Sequence, residues 1–207
     1  MKQLSFTPTF AQPIGVYDSG IDATGCAALV AMIEELRLIP SGHKRSSVGG
    51  WRSEGNIFDV NVGAVRQLAD AAVNCSLDYL KACGVQFDGS AYTGRLTGWA
   101  NVNGRGHYNA PHRHNGYDLS GCFYLAQPTA TTNSTGVIEF LDQRNLTPQA
   151  ERFGGPMFSS SFALRPEPGQ IVIFPSSLMH WVRPNQSDED RIVIAWNIDI
   201  VKRVADA

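Results

Sequence analysis

The sequence predicts a mostly β domain: a jelly-roll core (double-stranded β-helix) with flanking helices that form an N-terminal buttress. Three observations predict it. Apolar residues recur at helical spacing in two segments of the first half. From about residue 90 the texture changes to short β-rich runs separated by Gly, Pro, Asn and Asp. The 207 residues suffice for a single domain, with about 1–89 as helical support and about 90–201 as the jelly-roll core.

The first helix is read from Asp22 to Arg37, where Cys26, Leu29, Val30, Ile33 and Leu36 share a face. Asp22 or Thr24 is placed to cap it, and Pro40 and Gly42 end it. The second runs from about Val62 to Cys83 along a face of Val65, Leu68, Ala69, Ala72, Val73 and Leu80, and Gly84 stops it. Between them "HKRSSVGGWRSEGNIFD" is polar, glycine-rich and non-periodic, so it reads as loop. The strand candidates are "YTGRLTGWANVN", "LSGCFYLAQP", "GVIEFLD", "MFSSSFALRP", "QIVIFPSSLMHWVRPN" and "RIVIAWNIDIV". Several strands at such spacing predict a sandwich or barrel.

Net charge is -2 and the basic residues do not cluster, which argues against a nucleic-acid or anionic-membrane partner. No apolar run approaches the roughly 18 residues of a membrane span. The N-terminal stretch lacks the apolar core of a secretion signal, and the four cysteines form no C-x-x-C pair. A cytoplasmic protein with reduced thiols is expected.

The chemistry concentrates at "YNAPHRHNGYDLSGCFYL". Three of the five histidines lie between His107 and His114. On a strand, residues two apart share a face, so His112 and His114 would project together with Arg113 facing away. His180 comes much later, at the end of a strand-like run. Two nearby ligands and one distant one are a common way for a β-barrel to build a facial metal site, and imidazole suits Fe, Zn, Cu or Ni. Arg191 heads the final strand, where it would pair with a carboxylate of a ligand or with Asp188, Glu189 or Asp190. His107 and His43 read as loop residues. Arg183 and Asn185 reach toward a pocket mouth or fix a turn at Pro184.

This arrangement, H-x-H, a long interval, H, about ten residues, then R, resembles the Fe(II)/2-oxoglutarate-dependent oxygenases. "HRHNGYDLSGCFYL" followed by "PGQIVIFPSSLMHWVRPNQSDEDRIVIAWN" is similar to a group of such oxygenases related to the prolyl hydroxylases, and "GGWRSEGNIF" extends the likeness. The resemblance implies that His112 and His180 hold Fe(II) and that Arg191 pairs with the C5 carboxylate of 2-oxoglutarate. It also implies that Tyr124 donates to that carboxylate, while Asn101 and Asn103 are placed to orient the cosubstrate. Most of that superfamily has Asp or Glu at the position of His114. Three explanations compete: His114 is the third ligand, Asp118 supplies the carboxylate, or the iron has only two protein ligands.

The implied reaction consumes O2 and 2-oxoglutarate, releases succinate and CO2, and hydroxylates a small-molecule or amino-acid-like substrate. The alternative is a three-histidine cupin-type dioxygenase or isomerase that does not use 2-oxoglutarate. A binding module with incidental histidines is a third reading. A second copy of the chain is a candidate partner, and "TATTNSTG" and "NLTPQAERFGGPM" are candidate lids.

Overall fold

The structure, a computed structural model, describes residues 3, 5, 11–40, 45–129, 134–144, 152–155 and 157–203. Expectations placed on His43, Gly42 and most of the two lid segments fall outside those residues.

Both helices form where the pattern placed them. The first, Ala23–Leu36 (α1), begins at Asp22, whose side chain accepts from the Gly25 N–H at 2.8 Å. The second, Gly63–Ala82 (α2), ends two residues before Gly84, which takes a positive φ of 82° and donates to Lys81 O. Among the described residues no helix is long and apolar enough to cross a membrane.

Two antiparallel sheets make the barrel. Its strands are Gly15–Asp18 (β1), Ser47–Val48 (β2), Trp51–Arg52 (β3), Tyr92–Asn103 (β4), Tyr108–His112 (β5), Leu119–Ala126 (β6) and Ile138–Leu141 (β7). Ser161–Leu164 (β8), Gln170–Pro175 (β9), His180–Val182 (β10) and Arg191–Lys202 (β11) complete it. The major sheet has the order β1-β9-β6-β11-β4-β3, and the minor sheet β2-β5-β10-β7-β8.

Strand periodicity divides the core in two. Ala100, Val102, Phe123, Ile173, Ile192, Ile194 and Ile198 point from the major sheet to the helices, packing on Leu29, Ile33, Val65 and Leu68. The alternate residues, Cys122, Tyr124, Val172, Phe174 and Val193, point between the sheets and meet Ile138 and Phe140. The helices therefore cover the outer face of the major sheet and leave the space between the sheets for a site.

Two readings of the sequence are corrected here. "QIVIFPSSLMHWVRPN" is two strands in different sheets, because the chain turns after Pro175 and crosses from β9 to β10. "HKRSSVGGWRSEGNIFD" is not simply loop. It supplies β2 to the minor sheet and β3 to the major one, so the first half of the chain contributes strands as well as helices. Gly50 allows this close approach, since a Cβ there would lie 2.3 Å from Asn103 Oδ1 and 3.0 Å from Val102 O.

On the far face of the minor sheet, Glu139 is buried (5% exposed) and accepts from four donors. These are Ser161 Oγ and Trp181 Nε1, each at 2.7 Å, and Arg183 Nε and Nη2 at 2.9 and 2.7 Å. Glu139 thus ties β7 to β8 and β10, and Arg183 is spent on its carboxylate rather than reaching a pocket mouth. Its bonds, ahead of those from Ser161 and Trp181, hold the Glu139 carboxyl at about 2 against an ordinary 4.5. The folded state favours the ionised form, so this contribution is complete above pH 4.5 and is lost as pH falls from there toward 2. Glu139→Gln should cost about 1–3 kcal/mol at pH 7 in urea unfolding and flatten the pH dependence of stability across that window.

Candidate metal centre

β5 and β10 are antiparallel neighbours with His112 directly opposite His180, and their ring centroids lie 4.3 Å apart. β5 stops at His112, so His114 is not on the strand expected to carry both residues. Its backbone N–H instead donates to Ser176 O at 2.8 Å, in the turn after β9. That bond brings its ring to 4.9 Å from His112 and 5.3 Å from His180. One ligand atom from each of the three histidines can be chosen so that all lie within 4.8 Å of one another.

Backbone carbonyls set the tautomers. His112 Nδ1 lies 2.8 Å from Ala110 O, and His180 Nδ1 lies 2.9 Å from Leu178 O. A carbonyl only accepts, so each Nδ1 carries the proton and each Nε2 keeps its lone pair. Burial, reinforced by His112, pushes His180 down to about 3. Burial, then His112, Arg52 and Arg45, pushes His114 down to about 4. Burial also lowers His112. All three are neutral at pH 7, the form a metal requires.

Asp118 is elsewhere. It is exposed, and its carboxylate accepts from the Ile200 N–H at 2.8 Å. Among the described residues no carboxylate joins the three histidines.

Across the space between the sheets is Arg191. It heads β11, which lies in the opposite sheet and faces β5 and β10 over a cavity of about 240 Å3. Its candidate internal partners are engaged: Asp188 with Arg105, Asp190 with Arg37, and Glu189 with the Thr129 N–H. Arg191 is 2% exposed and makes no ion pair among the described residues. Its Nη2 donates to Tyr124 OH at 3.0 Å, and its Nε is buried without a partner. Tyr124 is fully buried, and burial raises its pKa, so the phenol keeps its proton for a further acceptor.

The two asparagines diverge. Asn101 lines the cavity with a buried, unpartnered Oδ1. Asn103 does not line it; its Nδ2 donates to Asn109 Oδ1 and its carbonyl accepts from Asn185 Nδ2, each at 2.9 Å. Asn185 therefore belongs to this bracing network, and His107 accepts from the Gly104 N–H at 3.1 Å in the adjoining turn. Sequence reasoning missed Arg45, Ser47 and Arg52, which reach the cavity from the segment read as loop, and Trp99 on β4. Two-residue strands leave no periodic signal that would have found them.

Residues 97–197, from β4 to β11, match the family described as "Putative 2OG-Fe(II) oxygenase". Over that stretch, just under half of the chain, the barrel is similar to the Fe(II)/2-oxoglutarate oxygenases. No curated protein matches the chain closely enough to count as a relative. Solved structures share the fold. A Pseudomonas putida prolyl-4-hydroxylase is 13% identical, with TM-score 0.63 over 93% of this chain and 94% of that one. HygX from Streptomyces hygroscopicus, with nickel and 2-oxoglutarate bound, is 15% identical, with TM-score 0.60 over 91% and 83%. The epimerase SnoN from nogalamycin biosynthesis is 15% identical, with TM-score 0.62 over 93% and 79%.

Oxygenases of this superfamily use Fe(II) and take 2-oxoglutarate as cosubstrate, and the residues present fit both. Three neutral imidazoles with free Nε2 or equivalent lone pairs suit iron. A buried guanidinium with no countercharge and an orphaned Nε suits a carboxylate. His112→Ala or His180→Ala should weaken Fe(II) or Ni(II) at least roughly 100-fold in anaerobic calorimetry, more than loss of a supporting residue would. Because the histidine pKa values are depressed, protons compete for the metal only well below pH 6.5, and affinity should hold as pH falls through that value.

Proposed function

We propose that this chain is an Fe(II)- and 2-oxoglutarate-dependent dioxygenase that hydroxylates a small-molecule or amino-acid-like substrate, with succinate and CO2 as co-products. His112, His114 and His180 hold the iron, and Arg191 with Tyr124 anchors the C5 carboxylate of 2-oxoglutarate. The observation that carries this is Arg191: a buried cation with no countercharge among the described residues, facing three clustered neutral imidazoles. The cosubstrate anion would offset a desolvation cost that nothing else among the described residues meets.

When bound, the iron supplies chelation of the 2-oxo acid and activation of O2. The protein's own part is positional. Carbonyls of Ala110 and Leu178 hold two imidazoles with Nε2 toward the centre. The apolar wall of Ile138, Phe174 and Val193 limits water in the cavity. Three neutral imidazoles leave the iron formally +2, which a doubly charged 2-oxoglutarate balances, so the missing carboxylate is made good by the cosubstrate. The fold neighbours include a hydroxylase and an epimerase, and hydroxylation is our reading of the outcome here.

Arg191 separates this from a cupin-type reaction. Arg191→Gln should leave metal affinity nearly unchanged and weaken 2-oxoglutarate by about 2–5 kcal/mol, roughly 30- to 5,000-fold. The visible charge-transfer band expected on anaerobic addition of Fe(II) and 2-oxoglutarate to the native protein should fade accordingly. Unaltered 2-oxoglutarate binding would sink the assignment. A succinate-release screen over small organic molecules then identifies the substrate.

A further inference from the structure

The cavity wall carries four arginines, Arg45, Arg52, Arg113 and Arg191, and no aspartate or glutamate among the described residues. On the proposed function, the charges of iron and 2-oxoglutarate cancel, so the wall stays strongly cationic after both are bound. Arg191 is committed to the cosubstrate. Arg113 is exposed and donates to Gln143 Oε1 at 3.3 Å. Arg45 and Arg52 are left.

Neither makes an ion pair or a hydrogen bond to another described residue, although Glu54 lies near enough to Arg52 to act on its charge. Arg52 is half-buried, with its guanidinium carbon 4.2 Å from the centroid of the Trp99 ring. Trp99 in turn lies 5.8 Å, centroid to centroid, from His114. Arg45 sits close enough to repel Arg52 and carries a left-handed backbone φ of 32°, unusual for a residue with a Cβ. Two like charges held together beside an aromatic ring cost free energy unless an anion joins them.

The register of the sheet locates the pair. Arg191 is opposite Asn103 on β4, and Trp99 is four residues further along that strand, about 13 Å at the usual rise. The cations beside Trp99 are therefore at the other end of the cavity from the one that holds 2-oxoglutarate, next to the metal ligand His114. A cavity of about 240 Å3 that also holds the cosubstrate has room for only the reacting end of a second molecule.

We propose that the substrate oxidised is itself an anion, a small molecule that presents a carboxylate or phosphate group to Arg52 and Arg45 beside Trp99. A guanidinium matches either group with paired N–H donors, and the aromatic face fixes its plane. This inference rests on the proposed function for the identity of what occupies the Arg191 end.

The test is calorimetric titration of malonate and of inorganic phosphate into protein loaded with Ni(II) and 2-oxoglutarate. At least one probe should saturate, and the preferred one tells carboxylate from phosphate. Arg52→Gln and Arg45→Gln should each weaken that probe ten-fold or more, Arg52→Lys less, and malonamide should not bind. Arg191→Gln should act the other way, weakening 2-oxoglutarate far more than the probe. Failure of both probes to saturate, or equal affinity in the Arg45→Gln/Arg52→Gln double variant with its native thermal melt, overturns the proposal. Should 2-oxoglutarate itself not bind, the oxygenase reading falls, and the probes are titrated into metal-free Arg191→Gln protein, where the same two outcomes decide.

Discussion

The unbroken pairing of β11 with β4, from Arg191 opposite Asn103 to Lys202 opposite Tyr92, is the constraint on which the rest of the molecule depends. A shift of one residue would turn Ile192, Ile194 and Ile198 toward the cavity and Arg191 into the apolar layer under the helices. The helix-facing side chains therefore hold the register, and the register places Arg191 between the sheets. The stability of one face specifies the chemistry of the other. β11 also pairs with β6 on its other edge, which sets Tyr124 opposite Val193 and within reach of Arg191.

The electrostatics follow from having histidine where a carboxylate is usual in this superfamily. A carboxylate would have brought a negative charge into a cavity that otherwise holds arginines and neutral imidazoles. With His114 in place the described wall supplies no anion, so compensation has to come from what binds there. Burial reinforces this, because it keeps the imidazoles neutral and leaves Arg191 without water as an alternative partner.

Much of this was legible in the sequence where a period or a spacing carries it. Both helices and the long strands β4, β6 and β11 are visible because one face must be apolar at a period of 3.6 or 2. His112, His180 and Arg191 are visible because their spacing is that of a recognisable site. What was not legible depends on partners distant in the chain. β2 and β3 are two residues each and exist only because β5 and β4 pair with them, so Arg45 and Arg52 passed for loop charges. Asn103 looked equivalent to Asn101 by alternation, and only the proximity of Asn109 shows that it braces the sheet instead. The join inside "QIVIFPSSLMHWVRPN" was hidden because apolar residues flank it on both sides.

That join is where three separate demands meet. Within residues 176–179, Ser176 O receives the His114 N–H, Leu178 O receives the His180 ring, and Met179 O receives the Leu141 N–H. Every one of these is a main-chain oxygen, which all twenty amino acids possess. For these three bonds the turn works as a jig whose shape matters and whose lettering does not. The grip on these two histidines asks nothing of the side chains at the four positions, even though Ser176 and Leu178 are fixed for other reasons, by the Ser120 hydroxyl and by the core. The part of the site that orients its imidazoles therefore leaves no motif of its own to search for.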